Sequence, residues 1–278
     1  MFTKAASSKD AKSEEKMDNS NFVLSTAIFN YNYFRKSVPM PKKQIFKDLA
    51  KYYDFIYSFK DYENEAKKIK LFIKKYKKSK GNDLLEVACG TGKHLPYLKD
   101  TFSILATDAN KAMLAVARKN IPDITFKQAN MIHFDLGKKF DVIICLFSSI
   151  GYVKTYENLS KTIRNFAQHL KKGGVLIIEP WFTKTSYITG LPSMTIYDGD
   201  NIKISRLCIC KKRGLVSVMD MHYLIAEKNK NVKHFIERHE LAMFEINRVL
   251  DIMNKEGLKA RFLNNGLMKG RGIYIGVK

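Results

Sequence analysis

The stretch from Leu84 to Asp108 constrains the fold of this chain more than any other. An apolar run over 84–88 leads into Gly90-Thr91-Gly92, a helical pattern follows, and a second apolar run over 103–107 ends at Asp108. This order predicts strand, tight loop, helix and strand. Glycines let a backbone come close to a ligand, and the N–H groups of the loop then face it. A carboxylate at the end of the second strand can accept hydrogen bonds from both hydroxyls of an adenosine ribose.

The residues that the loop lacks narrow the choice of cofactor. A nicotinamide fingerprint requires a third glycine where this chain has Leu95, and a phosphate-binding P-loop requires Ser or Thr where it has His94. An acid just before the loop, Glu86, suits a cofactor without a pyrophosphate. S-adenosylmethionine fits, with its adenosine beside Asp108 and its cationic amino acid on the Glu86 side. The segment EVACGTG resembles the loop of class I S-adenosylmethionine-dependent methyltransferases; the alternative is a strand–helix turn without a ligand.

The rest of the chain continues the alternation of strands and helices. Apolar runs at 84–88, 103–107, 124–128, 140–146 and 175–179 alternate with helical patterns that end at 98 or cover 111–119 and 156–170. This predicts an α/β, Rossmann-like class I methyltransferase fold, with a mostly parallel sheet and helices on both faces. Two helices, over 44–57 and 63–76, precede it. Segments 202–210, 215–226 and 232–243 alternate with period two and predict an auxiliary antiparallel sheet inserted after the fifth strand. A helix over 245–256 and a closing hairpin of strands 258–263 and 272–277 complete the domain.

The expected domain organisation is one methyltransferase domain behind a tail. Residues 1–40 are expected to form a disordered tail, since residues 1–20 are small, polar and of mixed charge and contain no apolar run. The apolar segment 22–34 is too short to span a membrane. The domain covers 41–278, with 182–243 as a substrate-capping or dimer segment. Met40 is an alternative start.

The charge of the chain has two interpretations. A net charge of +22 and a pI near 9.7 would suggest a nucleic acid or an acidic membrane surface as partner. The excess comes from lysines spread along the chain, which favours solvated helix faces. The remaining interpretation is an anionic substrate, such as a phosphorylated or nucleotide-linked small molecule.

The cysteines indicate a reducing environment. Cys89, Cys145, Cys208 and Cys210 form neither a C-x-x-C pair nor a Cys/His zinc pattern. We therefore expect a cytoplasmic protein without a metal.

Ligands of such a sheet bind at the carboxyl ends of its strands, which yields two sets of candidate residues. The cofactor set is Tyr57, Glu86, Ala88, Gly90, Gly92, His94, Asp108, Ala109, Met113, Asn130, Met131, Leu146 and Phe147. The catalytic set is Tyr152, Glu179, His222 and His239, since an amine must be neutral to accept a methyl group and a nearby side chain can take its proton. Each of these four is equally compatible with a structural role.

Known base methylases are a poor match. Enzymes that methylate the exocyclic amine of a base usually carry a D/N-P-P-Y/F/W tetrad after the fourth strand, where this chain reads LFSSIGY. Enzymes that methylate C5 of pyrimidines use a Pro-Cys pair, which the sequence lacks. A nucleic-acid acceptor is therefore not expected.

Several further segments resemble a more specific family. They are CLFSSIGY (145–152), EPW (179–181), HFIERHEL (234–241) and GRGIYIGV (270–277), together with KDY (60–62) and CGTGKHL (89–95). The chain resembles, over about 52–277, the dTDP-3-amino-3,6-dideoxyhexose N,N-dimethyltransferases. The resemblance implies a capping sheet that supports a homodimer, and a substrate pocket lined or braced by Trp181, His222, His239 and Arg271. Arg271 and nearby lysines would meet a diphosphate. The chain departs from the family pattern at Asn130-Met131 and Asp108-Ala109-Asn110.

Two alternatives remain at the level of sequence. The same scaffold could methylate an oxygen or carbon of another small metabolite. A basic nucleic-acid- or membrane-surface-binding protein with a vestigial S-adenosylmethionine fold is the alternative from a different class.

Overall fold

The computed structural model describes residues 49–278. The predicted tail, the apolar segment 22–34 and the beginning of the predicted helix 44–57 lie outside these residues. In chain order the helices and strands are α1 (Tyr53–Ile56), α2 (Tyr62–Tyr76), β1 (Asp83–Val87), β2 (Ser103–Asp108), α3 (Lys111–Asn120), β3 (Thr125–Gln128), β4 (Phe140–Cys145), α4 (Tyr156–His169), β5 (Leu170–Ile178), β6 (Pro192–Asp198), β7 (Ile202–Arg213), β8 (Val216–Glu227), β9 (Lys233–Ala242), α5 (Ile246–Lys255), β10 (Lys259–Leu263) and β11 (Ile273–Val277). Among them, no helix is long and apolar enough to cross a membrane.

The central sheet has the order β10-β11-β5-β4-β1-β2-β3. Strands β1 to β5 pair in parallel, and the hairpin β10–β11 joins β5 in antiparallel orientation. Strand β4 is buried throughout, because both faces of the sheet are covered. In β1, Leu84 packs with α2 residues on one face, and Leu85 packs with α4 and α5 residues on the other. The predicted class I architecture is confirmed.

The auxiliary sheet is antiparallel, with the order β6-β7-β8-β9. Its inner face carries buried side chains at alternate positions, including Tyr223 and Ile225 of β8, which pack on Tyr52 and Ile56. Its outer face carries exposed apolar side chains, among them Leu207 and Leu224. The sheet therefore covers the Rossmann-like part with one face only.

Several element boundaries differ from the predictions for identifiable reasons. After the glycine loop the chain forms only a 3-10 turn, Leu95–Tyr97, with Pro96 in its first turn, where a helix to residue 98 was predicted. The segment 171–174 lies inside β5, because a bulge opposite 140–142 accommodates its glycines. Strand β6 was not predicted; it is an edge strand that begins with Pro192. In the described part of the helix predicted over 44–57, a 3-10 turn precedes the four-residue α1.

Candidate active site

The two glycines of the loop after β1 have different structural roles. Ala88, Gly90 and Gly92 all have positive φ, of 57°, 59° and 76°. A Cβ at Gly90 would meet no atom within 4 Å, whereas one at Gly92 would lie 2.9 Å from Leu95 and 3.0 Å from Ile121. Gly90 therefore borders open space, and Gly92 permits close packing with Leu95 and Ile121.

Asp108 closes the loop from the neighbouring strand. The Gly90 N–H donates to Asp108 Oδ2 at 2.8 Å, and the Asn110 N–H donates to Oδ1 at 2.7 Å. Burial raises the pKa of the Asp108 carboxyl, although these N–H donors oppose the shift. Ala109 is exposed next to it, and Met113 is buried in the first turn of α3, which Asn110 caps.

Glu86 is buried beneath the loop with one oxygen unsatisfied. Its Oε1 lies 3.6 Å from His94 Nδ1, and its Oε2 has no hydrogen-bond partner. A buried carboxylate oxygen without a donor is costly unless a ligand supplies one. The ammonium group of S-adenosylmethionine is such a donor. Together with the open space at Gly90 and the acid at the end of β2, the site fits this cofactor.

The remaining cofactor candidates range from exposed (Asn130) through half-buried (Met131) to buried (Tyr57 and Leu146). Asn130 Oδ1 accepts the Ile132 N–H at 3.0 Å, and Met131 packs against the core below the sheet. Tyr57 is buried and meets the Phe147 ring edge-on, with centroids 5.1 Å apart. Leu146 is 3% exposed and packs into the core with α2.

A strained turn follows β4. Phe147 and Ser148 both have positive φ, of 49° and 63°. Glu179 Oε2 accepts the Phe147 N–H at 2.7 Å, and Ser148 Oγ donates to Pro180 O at 2.7 Å. Glu179 is fully buried and its Oε1 has no partner; burial raises the pKa of this carboxyl. These bonds hold a backbone conformation that non-glycine residues rarely adopt.

Arg271 lies in an aromatic cage next to this turn. Its guanidinium carbon is 4.6 Å from the Trp181 ring centroid, 5.2 Å from Phe182 and 5.7 Å from Phe147. Its Nη1 donates to Ser148 Oγ at 3.0 Å, whereas its Nε is buried without a partner. Burial lowers the pKa of Arg271, although the Glu179 carboxylate opposes the shift.

Tyr152 and His239 meet between the strand ends and the auxiliary sheet. The Tyr152 hydroxyl lies 2.7 Å from His239 Nδ1, and His239 Nε2 lies 3.4 Å from Glu237 Oε2. Burial raises the pKa of the Tyr152 hydroxyl well above its usual value. The phenol therefore stays neutral and shares a hydrogen bond with the imidazole.

His222 does not join this group. It is exposed, and its Nδ1 lies 3.3 Å from His234 Nε2. Strand β8 buries Met219, Tyr223 and Ile225 at odd positions, so His222 points to the opposite, outer face.

Four charged residues near the site were not predicted from the sequence. Lys60 and Glu65 form a buried ion pair of 2.5 Å. Arg206 lies 5.1 Å from the Tyr57 ring centroid and donates to Thr195 Oγ1 at 2.8 Å. Glu237 lies opposite Met221 on the inner face. For Arg206 and Glu237 a signal was present: both share the inward phase of a period-two strand.

Comparisons with known proteins agree with this geometry. The methyltransferase domain family Methyltransf_25 matches residues 84–174. A dTDP-3-amino-3,4,6-trideoxy-alpha-D-glucopyranose N,N-dimethyltransferase of Streptomyces venezuelae is 34% identical over 233 residues, which cover 83% of this chain and 98% of the relative. The crystal structure of DesVI from Streptomyces venezuelae superposes with a TM-score of 0.77 at 32% identity, covering 84% of this chain and 99% of that chain. An amino pentose methyltransferase from Micromonospora echinaspora, solved with S-adenosylmethionine bound, has a TM-score of 0.73 at 25% identity and covers 85% and 98%.

These relatives span both the glycine loop and the auxiliary sheet, so the similarity extends beyond the cofactor-binding motif. The matched solved structures include one that holds S-adenosylmethionine, which agrees with the fit of the cofactor to Glu86, Gly90 and Asp108. The chain belongs to the class I S-adenosylmethionine-dependent N-methyltransferase family that includes the dTDP-amino-sugar N,N-dimethyltransferases.

Proposed function

We propose that this enzyme methylates the amine of a nucleotide-linked amino sugar. Three relatives, matched over 83–85% of this chain, are named for dTDP-linked 3-amino or 4-amino deoxysugars. We take a dTDP-3-amino-deoxysugar as the most informative acceptor to test. S-adenosylmethionine supplies the methyl group as an electrophile, and the side chains hold the amine and its proton.

The observation that carries the choice of acceptor is the Arg271 cage. A buried guanidinium whose Nε–H lacks a partner is costly without an acceptor of that hydrogen bond. Trp181 and Phe182 offer only aromatic rings, and the nearby Glu179 carboxylate binds the Phe147 N–H rather than Arg271. A diphosphate oxygen satisfies both the charge and the free N–H.

Tyr152 and His239 provide a path for the proton of the amine. The Tyr152 oxygen accepts a hydrogen bond from the amine and donates its own proton to His239 Nδ1. As the amine nitrogen takes the methyl group, the methyl–sulfur bond breaks and S-adenosylhomocysteine is the leaving group; the amine proton would move to Tyr152 and the tyrosine proton to His239. The carboxylate of Glu237, 3.4 Å from His239 Nε2, stabilises the imidazolium.

Glu179 is proposed to orient the acceptor. One oxygen holds the Phe147 turn, and the free Oε1 can accept a hydrogen bond from an amine or hydroxyl of the sugar. On the other side of the transfer, Asp108 receives the ribose hydroxyls, Asn130 the adenine amine and Glu86 the ammonium group of the cofactor.

The test is methyl transfer from labelled S-adenosylmethionine to dTDP-3-amino-3,6-dideoxyglucose. The matched control acceptor carries a hydroxyl in place of the amine. Label on the aminosugar and not on the control supports the proposal. Label on the hydroxyl sugar would indicate O-methylation instead. Label on neither sugar would contradict the proposal that this sugar is the acceptor. Salt-sensitive binding to RNA, DNA or anionic vesicles without methyl transfer would favour the non-enzymatic alternative.

We further propose a homodimer through the outer face of the auxiliary sheet. Met194, Ile196, Leu207, Ile209 and Leu224 are exposed on this face, at 45–63% of their surface. Met194 is paired with Leu207 across β6 and β7, so the apolar surface is continuous. A flat face of this kind suits a two-fold contact with a second copy. Light scattering should give twice the chain mass; a monomer, or a dimer that survives Leu207→Asp, would contradict this arrangement.

A cytoplasmic location is the last part of this proposal. The four cysteines are free thiols, which suits a reducing compartment. Subcellular fractionation tests it, and recovery of the chain outside the cytoplasm would contradict it.

A further inference from the structure

Four buried side chains form a continuous chain under the cofactor loop. Lys60 Nζ donates to Glu65 Oε1 at 2.5 Å, and His94 Nε2 lies 2.8 Å from Glu65 Oε2. His94 Nδ1 lies 3.6 Å from Glu86 Oε1. All four residues are at most 8% exposed. The chain connects the beginning of α2 with the acid that precedes the glycine loop.

Both ring nitrogens of His94 therefore face carboxylate oxygens. A neutral imidazole would present a lone pair to one of them, whereas an imidazolium donates to both. Burial lowers the pKa of His94, but its hydrogen bond with Glu65 and the charge of the Glu86 carboxylate outweigh it and raise this pKa to about 9. The Tyr62 ring, edge-on at 5.0 Å, adds no charge.

The cations near these four side chains do not lie against the His94 ring, so they do not oppose its protonation. Lys93 is exposed and lies 3.9 Å from Asp54 rather than at the buried ring. Asp54 in turn accepts the Thr91 hydroxyl at 2.6 Å, which fastens α1 to the same loop. Lys60 is held by Glu65 and lies 4.3 Å from the Phe147 ring centroid. Cation and anion thus alternate from Lys60 to Glu86.

We propose that protonated His94 is a positioning residue that fixes the Glu86 carboxylate with Oε2 directed at the ammonium group of S-adenosylmethionine. Glu65 and Lys60 hold the ring from the other side. The unpartnered Oε2 is the observation that indicates a cationic ligand at this point. The inference rests on the proposed function, in which Glu86 receives the amino-acid end of the cofactor.

The protonation state can be measured in the unmodified full-length enzyme. Histidine ring resonances followed by NMR between pH 5 and 10 should show His94 titrating near pH 9. His133 is exposed and serves as the reference ring. A histidine with a raised pKa is charged below that value. The series of contacts from Lys60 to Glu86 is therefore intact at neutral pH, and the contribution of His94 to it is lost as the pH rises through about 9. Titration of His94 at or below about 6.5, the usual value for histidine, would overturn the proposal.

The positioning role is tested by comparing two ligands. Calorimetry is performed with S-adenosylhomocysteine and with its analogue that lacks the α-amino group. The unmodified enzyme should prefer the amino ligand by about tenfold or more, the range of one hydrogen bond to a charged group. His94→Gln should remove most of this preference by weakening the amino ligand alone, and the control His133→Gln should leave it unchanged.

The outcomes separate this inference from the proposed function. Equal weakening of both ligands in His94→Gln would mean general damage to the loop and would overturn the positioning role. Equal binding of both ligands by the unmodified enzyme would do the same, while methyl transfer to the sugar could persist. Failure of sugar methylation with the ligand preference intact would reject the acceptor alone. Should His94→Gln not fold, Glu65→Gln tests the same claim, with a lower His94 pKa and a smaller preference expected.

Discussion

The cofactor half and the acceptor half of the site hold their polar side chains in different ways. On the cofactor side, Asp108 accepts N–H groups from residues 18 and 2 positions away in sequence. On the acceptor side, Tyr152 meets a residue 87 positions away, and Arg271 donates to one 123 positions away. The cofactor half is thus built from one strand–loop–strand unit, whereas the acceptor half forms only when distant segments meet. Substitutions should therefore separate cofactor binding from acceptor turnover.

The largest effect on cofactor binding is expected from Asp108→Ala. The variant loses the carboxylate for the ribose hydroxyls and leaves the Gly90 N–H without its acceptor. Two hydrogen bonds to a charged group, at about 1.5–3 kcal/mol each, correspond to a weakening of S-adenosylhomocysteine by about 100-fold or more. Calorimetry measures this affinity. An unchanged affinity would contradict the placement of the cofactor ribose at Asp108.

A change confined to turnover is expected from Tyr152→Phe. Without the hydroxyl the amine proton loses its path to His239, so we expect kcat to fall by about 10- to 100-fold with S-adenosylhomocysteine affinity unchanged. His239→Gln should have a similar effect, and the double variant should be no worse than either, because both act in one path. Unchanged kcat in Tyr152→Phe would mean that positioning alone suffices.

A smaller effect distinguishes the two loop glycines. Both have positive φ, so alanine costs about 1 kcal/mol at either position. Gly92→Ala also collides with Leu95 and Ile121 and should cost about 1–3 kcal/mol more in urea unfolding of the free enzyme. Gly90→Ala meets open space and should instead weaken S-adenosylhomocysteine by roughly tenfold, the weight of about 1.4 kcal/mol. Normal cofactor binding by Gly90→Ala would contradict the proposal that the cofactor occupies the open space next to Gly90.

The smallest effect is expected from His222→Gln. This side chain lies on the outer face of the auxiliary sheet, away from Tyr152 and Glu179. We expect kcat and cofactor affinity within about twofold of the unmodified enzyme, as for most surface substitutions. A tenfold loss of kcat in steady-state assays would contradict this and indicate that His222 takes part in catalysis.

The cofactor half could be predicted from the sequence because its signals are local. The glycine loop, Glu86 and Asp108 follow one another within 23 residues, and the alternation of strands and helices determines where they meet. The 3-10 turn at Leu95–Tyr97 and the contact between Glu65 and His94 were not predicted, since they depend on how α2 packs on the loop.

The acceptor half could be predicted only in part. The resemblance of short segments pointed to Trp181, His239 and Arg271, and the structure brings these residues near the strand ends. It also pointed to His222, whose phase within β8 is opposite to that of Tyr223. Applying the period-two rule to each strand would have separated these two faces and indicated Arg206 and Glu237 as inward charges. The strained turn at Phe147 and Ser148 carries no glycine and so has no comparable sequence signal.

The most direct test of the account is a crystal structure of the enzyme with S-adenosylhomocysteine and dTDP-3-amino-3,6-dideoxyglucose. The account predicts the cofactor between Glu86 and Asp108, the sugar amine within hydrogen-bond distance of the Tyr152 hydroxyl, and a diphosphate oxygen on Arg271. An amine away from Tyr152 and Glu179, or a nucleotide sugar bound on the outer face of the auxiliary sheet, would contradict it.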